Sequence, residues 1–116
     1  MNLNKKLIEI CEELDDAKWL EDRCRVPTSN GYIDIKPEDG YLKVERKYNV
    51  KGPWDSEYVT VTLKNIKDIR KIENGIEAEN DSGYLRILSK WIPGDYAWGP
   101  HYRSHIFAYD KNLNVL

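Results

Sequence analysis

The sequence is poor in the residues from which most catalytic and metal-binding motifs are built. Its 116 residues include two histidines, two cysteines, one methionine and one phenylalanine. GxxxxGK, GxGxxG, GxSxG and HExxH are all missing, so no phosphate loop, nucleophile elbow or helical zinc pair is predicted. The glycine-containing stretches GPW, NGI and DSGY are turn chemistry. No run approaches the ~18 apolar residues of a membrane span. The start, MNLNKKLIEICEE, lacks the apolar stretch of a signal peptide. The expected compartment is therefore the cytoplasm, with no membrane partner, and Cys11 and Cys24 are expected as free thiols. A formal net charge of -2 announces no basic face for duplex binding, and it is too small for a mimic of nucleic acid.

What is present suits a folded protein. The chain is 41% hydrophobic and 33% charged, too apolar and too aromatic for disorder. The length fits a single domain over 1–116. Leu3, Leu7, Ile10, Cys11, Leu14 and Ala17 form one stripe at helical spacing, so a helix is predicted from residue 3 to about 22. Asn2 serves as its N-cap, Arg23 and Arg25 stand at its end, and Pro27 is its stop signal. Trp19 and Leu20 fall off that stripe.

After Pro27 the period becomes two. Ile33 and Ile35, then Leu42 and Val44, alternate with polar residues around the turn PEDG, and a hairpin is predicted. VKGPWDS reads as a loop. Val59, Val61 and Leu63 face the core from the strand YVTVTLK. The spacing of Leu63, Ile66, Ile69 and Ile72 by three predicts a short helical turn over 65–71, with a bent strand as the alternative. Residues 76–79 and 84–88 pair through NDSG, and 102–109 form the last strand. Leu85, Ile87, Ile106 and Ala108 complete the core. The predicted fold is α+β: a long N-terminal helix on an antiparallel, meander-like sheet of five to six strands, with a half-open barrel as the alternative.

Each reactive residue type also has a plainer role. His101 and His105 have the i, i+4 spacing of a helical metal pair, but the run GPHYRSHIFAYD reads as strand. Four strand residues span ~13 Å, and one ion with ~2 Å ligand bonds cannot bridge that. His101 is therefore read as a loop residue and His105 as a sheet residue beside Tyr or Trp. No metal or cofactor is expected. Cys11 lies on the apolar stripe. Cys24, between Arg23 and Arg25, is expected to be the more reactive thiol. An unbroken helix would hold the two cysteines ~20 Å apart, which excludes a disulfide. The carboxylates lie in turns or on the helix surface, with none placed across a cleft.

Two features remain. Lys64, Lys67, Arg70 and Lys71 could contact an anion, although Glu73, Glu77 and Glu79 cancel much of their field. The stretch WIPGDYAWGPHYRSH concentrates Trp91, Tyr96, Trp98, His101 and Arg103, and Trp54 stands in another Pro/Gly loop. Loop Trp and Tyr are typical anchors of protein interfaces. The 92–100 loop could equally plug the end of the sheet with Trp98. The expected function is a small non-enzymatic protein-binding module, such as an inhibitor, immunity or anti-defence protein of a phage or mobile element. Two alternatives stand beside it: a small-ligand or nucleotide binder, or small enzyme, with an aromatic pocket near Trp91–His105, and a single-strand nucleic-acid binder stacking bases on sheet tyrosines. A protein partner is preferred over nucleic acid.

Overall fold

The computed structural model describes residues 2–52, 55–94, 99–111 and 114–115. One helix, α1 (Leu3–Glu13), precedes ten strands: β1 (Lys18–Leu20), β2 (Arg23–Thr28), β3 (Gly31–Pro37), β4 (Leu42–Gly52), β5 (Asp55–Leu63), β6 (Asp68–Ile72), β7 (Gly75–Glu79), β8 (Gly83–Ile92), β9 (His101–Asp110) and β10 (Asn114–Val115).

The helix begins where its cap predicts. The Asn2 side chain accepts from the Lys5 amide at 3.0 Å, and Leu7, Ile10 and Cys11 are buried along one stripe. It ends at Glu13, about nine residues before the predicted stop. The Leu14 amide turns back to the Cys11 carbonyl, and Asp16 takes φ 64°, a left-handed value that breaks the helix. Trp19 and Leu20 miss the helical stripe because they belong to β1. Arg23, Arg25 and Pro27 do not end the helix; all three lie in β2. Pro27 is tolerated there because β1 reaches only as far as Arg25, leaving that side of β2 an edge.

The strands form two antiparallel meanders, not one. The first sheet runs β1-β2-β3-β4-β5. The second has four full strands, β6 to β9, with the two-residue β10 along β9. No barrel closes among the described residues. Residues 64–67 carry the chain between the sheets. The Ile66 amide donates to the Gly40 carbonyl (3.2 Å) and the Lys67 amide to the Glu79 carbonyl (2.8 Å), so this linker is tied to both. The helical turn predicted over 65–71 does not form. Its isoleucines serve a linker and a strand instead: Ile66 is half-buried and Ile69 fully buried in β6. The VKGPWDS loop is likewise shorter than predicted, since β4 runs to Gly52 and β5 starts at Asp55.

The inner faces meet in one apolar core. Ile33, Ile35, Leu42 and Val44 of the first sheet face Ile69, Ile76, Leu85 and Ile87 of the second, and Leu7 and Cys11 of α1 belong to the same cluster. Full burial of each such aliphatic contributes ~1.5–3 kcal/mol relative to exposure. Val59 is a correction. It was expected in the core but is 44% exposed, because its half of the long β4–β5 hairpin lacks cover. Leu14, Val61 and Ile106 are half-buried at the core's margin. No helix of the described residues is long and apolar enough to cross a membrane.

Candidate functional site

The strand period decides which predicted residues come together. In β9, Ser104 and Ala108 point inward, so His101, Arg103, His105, Phe107 and Tyr109 share the outer face. Register extends that face across the sheet. Tyr109 pairs with Tyr84, which pairs with Glu79 and then Asp68. The next row is Phe107, Arg86, Glu77 and Arg70, and the third is His105, Leu88, Gly75 and Ile72. Tyr84 and Tyr109 stack at 6.0 Å between ring centres, and His105 and Phe107 at 5.8 Å. His105 thus lies beside Phe rather than Tyr or Trp. His101, expected in a loop, is the first residue of β9, and one of its ring nitrogens (Nδ1) pairs with the Gly99 carbonyl at 2.8 Å. Phe107 (47% exposed) and Tyr109 (39%) are large apolar groups left uncovered on β9, where only Tyr109 has the short β10 beyond it.

The charges on that face are largely matched. The Arg86 Nε donates to Glu77 at 2.8 Å. Arg70 donates to Glu79 (2.9 Å) and Asp68 (3.0 Å) and is also paired with Glu77. Asp68 in turn accepts from Lys6 of α1 at 2.7 Å. Arg86 holds the Glu77 carboxyl below its usual range, with Arg70 adding to the effect. The Lys6 hydrogen bond does the same for Asp68. Of the four cations expected to contact an anion, Arg70 is therefore committed to three carboxylates. Lys67 lies 3.6 Å from Asp81. Lys64 and Lys71 are exposed.

Trp91 and Tyr102 behave differently. They are register partners on the inner phase of β8 and β9, edge to face at 4.9 Å, beyond the edge of the sealed core. Trp91 is 49% exposed. The Tyr102 hydroxyl donates to Asp16 at 2.7 Å, and that carboxylate pushes the phenol's pKa up. Together they frame a pocket of about 130 Å³ between the 14–16 turn and both sheets. Its floor is Val26, Ile35, Ile76 and Ile87, all buried. Its rim carries Glu13, Asp15 and Asp16, then Trp91 and Tyr102, then Lys71, Asn74 and Lys90. A shallower groove lined by Asp15, Asp16, Trp91 and Tyr102 alone adjoins it.

Trp54, Tyr96 and Trp98 lie outside the described residues, as does the choice between binding loop and plug for residues 95–98. Phe107 was not among the predicted binding residues, although its alternation with Ala108 in a strand places it on the outer face. It passed over the pocket because the turn that supplies Asp15 and Asp16 lay inside the predicted helix. Among the described residues, no group of three His, Cys, Asp or Glu side chains is placed to hold a metal ion.

The cysteines overturn an expectation. Because α1 stops early and the chain returns along β2, Cys11 and Cys24 meet in the core, thiol to thiol, rather than ~20 Å apart. Cys24 is fully buried. Its hydrogen bond with Cys11 and its burial push its pKa up, the reverse of the reactive thiol expected between two arginines.

Comparison with known proteins adds one similarity. A [LysW]-lysine/[LysW]-ornithine hydrolase of Sulfurisphaera tokodaii is 27% identical over 100 residues, covering 78% of this chain. The chain spans 28% of that hydrolase's length. No family model matches the sequence, and no solved structure matches the fold.

Proposed function

We propose that this protein is a non-enzymatic protein-binding module that grips a partner with the outer face of β8 and β9. One observation carries the reading: Phe107 and Tyr109 stand exposed on β9, at the side of a sheet whose neighbouring charges are largely paired. Exposed aromatics on such a platform have the character of interface anchors, and pre-paired charges limit the cost of losing water on contact. His101 and Arg103 extend the face toward the 92–100 segment. Trp91 lies on the inner phase of β8 and is not part of this face. An inhibitor or immunity role suits a one-core protein that acts through a single face. The similarity to a hydrolase covers too little of that enzyme for hydrolysis to enter this proposal.

Immobilised protein should retain a partner from lysate of its source cell. Phe107→Ala with Tyr109→Ala should weaken that capture at least tenfold, since a true anchor contributes ~2 kcal/mol or more. Melting temperature should stay near that of the parent. Tyr58→Ala, on the first sheet, should capture normally. Unchanged capture by the double variant would overturn the assignment of this face, and Trp98→Ala would then test the loop.

A further inference from the structure

A sheet edge leaves a row of backbone N–H and C=O groups unpaired, and native edges are kept short, charged or broken by proline against further pairing. Three of the four edges here are guarded in that way. β1 is three residues long, and the stretch of β2 beyond it holds Pro27. β6 carries Asp68, Arg70 and Lys71 within five residues. The side of β9 that β10 leaves uncovered carries His101, Arg103 and His105. β5 is the exception. It is nine residues long, and among the described residues only β4 pairs with it. From Tyr58 to Leu63 it reads YVTVTL, with no charge, proline or glycine and with high strand propensity.

The same strand lacks cover on both faces. Alternation puts Val59, Val61 and Leu63 on the inner phase and Tyr58, Thr60 and Thr62 on the outer one. Val59 is exposed, Val61 is half-buried, and Tyr58 is 58% exposed beside an exposed Thr60. The run complements itself. A two-fold axis through Thr60, perpendicular to the sheet, lays a second copy of β5 antiparallel to the first with both faces in phase. Thr60 then stands opposite Thr60 of the second copy, Val59 opposite Val61, and Tyr58 opposite Thr62. Each exposed Val59 gains a β-branched neighbour and each exposed Tyr58 a threonine, which are favourable cross-strand pairs. Glu57 meets Leu63, so no like charges are set opposite each other. Lys43, Glu45 and Lys47 of β4 are the register partners of Thr62, Thr60 and Tyr58. Three strand spacings, ~14 Å, separate them from the same charges of the second copy, beyond the ~8–10 Å range of screened interaction.

We propose that two copies of this protein pair through β5, antiparallel about Thr60, and join their first sheets into one of ten strands. The two-fold pairing uses both open edges, so the assembly closes at a dimer and does not grow into a fibre. A single strand pair is smaller than a standard interface of ~1,600 Å², so a micromolar dimer is expected. The β8–β9 outer face belongs to the other sheet and takes no part in this contact.

Sedimentation equilibrium tests the pairing. The parent should pass from monomer to dimer with a Kd between ~1 and ~100 μM. Thr60 is exposed, so Thr60→Lys and Thr60→Glu should keep the parent's far-ultraviolet circular dichroism. Each should weaken association at least tenfold, because the axis sets its new charge opposite an identical one. An equimolar mixture of the two should associate again, as a heterodimer. Phe107→Ala with Tyr109→Ala should dimerise like the parent. Amide exchange reads the same contact without any substitution: residues 58–62 of the parent should be better protected above the Kd than below it. The proposal is overturned if the parent stays monomeric at ~1 mM, if it grows beyond a dimer, or if the two charged variants dimerise as the parent does. It is equally overturned if their mixture does not associate, if exchange over 58–62 is independent of concentration, or if the Phe107 and Tyr109 variant loses the dimer.

Discussion

Cys24 shows how one strand position reverses an argument made from neighbours in sequence. Arg23 and Arg25 flank it, and a flanking cation normally lowers a thiol's pKa. In a strand, however, residues i and i±1 point to opposite faces. Cys24 points into the core. The two arginines point out and close over Asp34, with Arg25 donating to it at 2.8 and 2.9 Å and Arg23 at 3.2 Å. Asp34 is thereby left 2% exposed on the outward phase of β3, and Arg25 lies 3.8 Å over the Tyr32 ring. The cations that might have activated the thiol are spent on a carboxylate on the far side of the sheet. Both thiols should accordingly react with Ellman's reagent far more slowly in the native protein than in denaturant. Stopped mixing at pH 8 checks this. Rapid native labelling of Cys24 would mean that β2 does not hold it inward.

At the scale of elements, hairpins were legible where alternation and turn residues agreed. Ile33, Ile35, Leu42 and Val44 face inward as the period required, and β7 and β8 pair through Asn80–Gly83 with the Asn80 side chain accepting from the amides of Ser82 and Gly83. Boundaries were not legible where two periods overlapped. Leu14 and Ala17 continue the helical stripe by spacing, yet the chain has already turned at Asp15 and Asp16, and tertiary packing of β1 decides against the helix. The division into two sheets was hidden as well, because a meander has the same local pattern whether its strands stay in one sheet or cross to a second. Gly75 marks one place where strand packing is especially tight. A Cβ there would overlap the Ile87 carbonyl and press on Leu88. Gly75→Ala should therefore push β7 from β8 and cost ~1–3 kcal/mol, the usual penalty of overpacking. Urea unfolding should show a lower midpoint with an unchanged slope. An unaltered midpoint would mean that the β7–β8 spacing is looser than described.

For the whole molecule, the ion pairs and the buried thiol set opposite limits on stability. Asp22, Asp68 and Glu77 have pKa values lowered in the folded state by Arg23, Lys6 and Arg86 respectively. A lowered carboxyl pKa means that the unfolded chain takes up protons first, so this stabilisation is present above ordinary values of 3.8 to 4.5 and is lost as pH falls below them. Cys24 has the opposite sign. Its folded pKa lies above its ordinary 9.0 while that of its hydrogen-bond partner Cys11 lies below, so the folded pair gives up one proton early and holds the other, and stability declines as pH rises past 9.0, where the unfolded chain releases both. Tyr48, bonded to Glu57, and Tyr102, bonded to Asp16, add to the decline above 10.0, their ordinary value. Stability measured by urea unfolding should therefore form a plateau between about pH 5 and pH 9 and fall on both sides. Glu77→Gln leaves Arg70 and Arg86 facing each other without their shared carboxylate. It should lower the plateau and make the acid limb shallower, because one of the titrating carboxyls is gone. Stability that climbs between pH 9 and pH 10.5 would contradict the buried position of Cys24. An acid limb unchanged by Glu77→Gln would show that the Arg70–Glu77–Arg86 ladder contributes nothing to the folded state in solution.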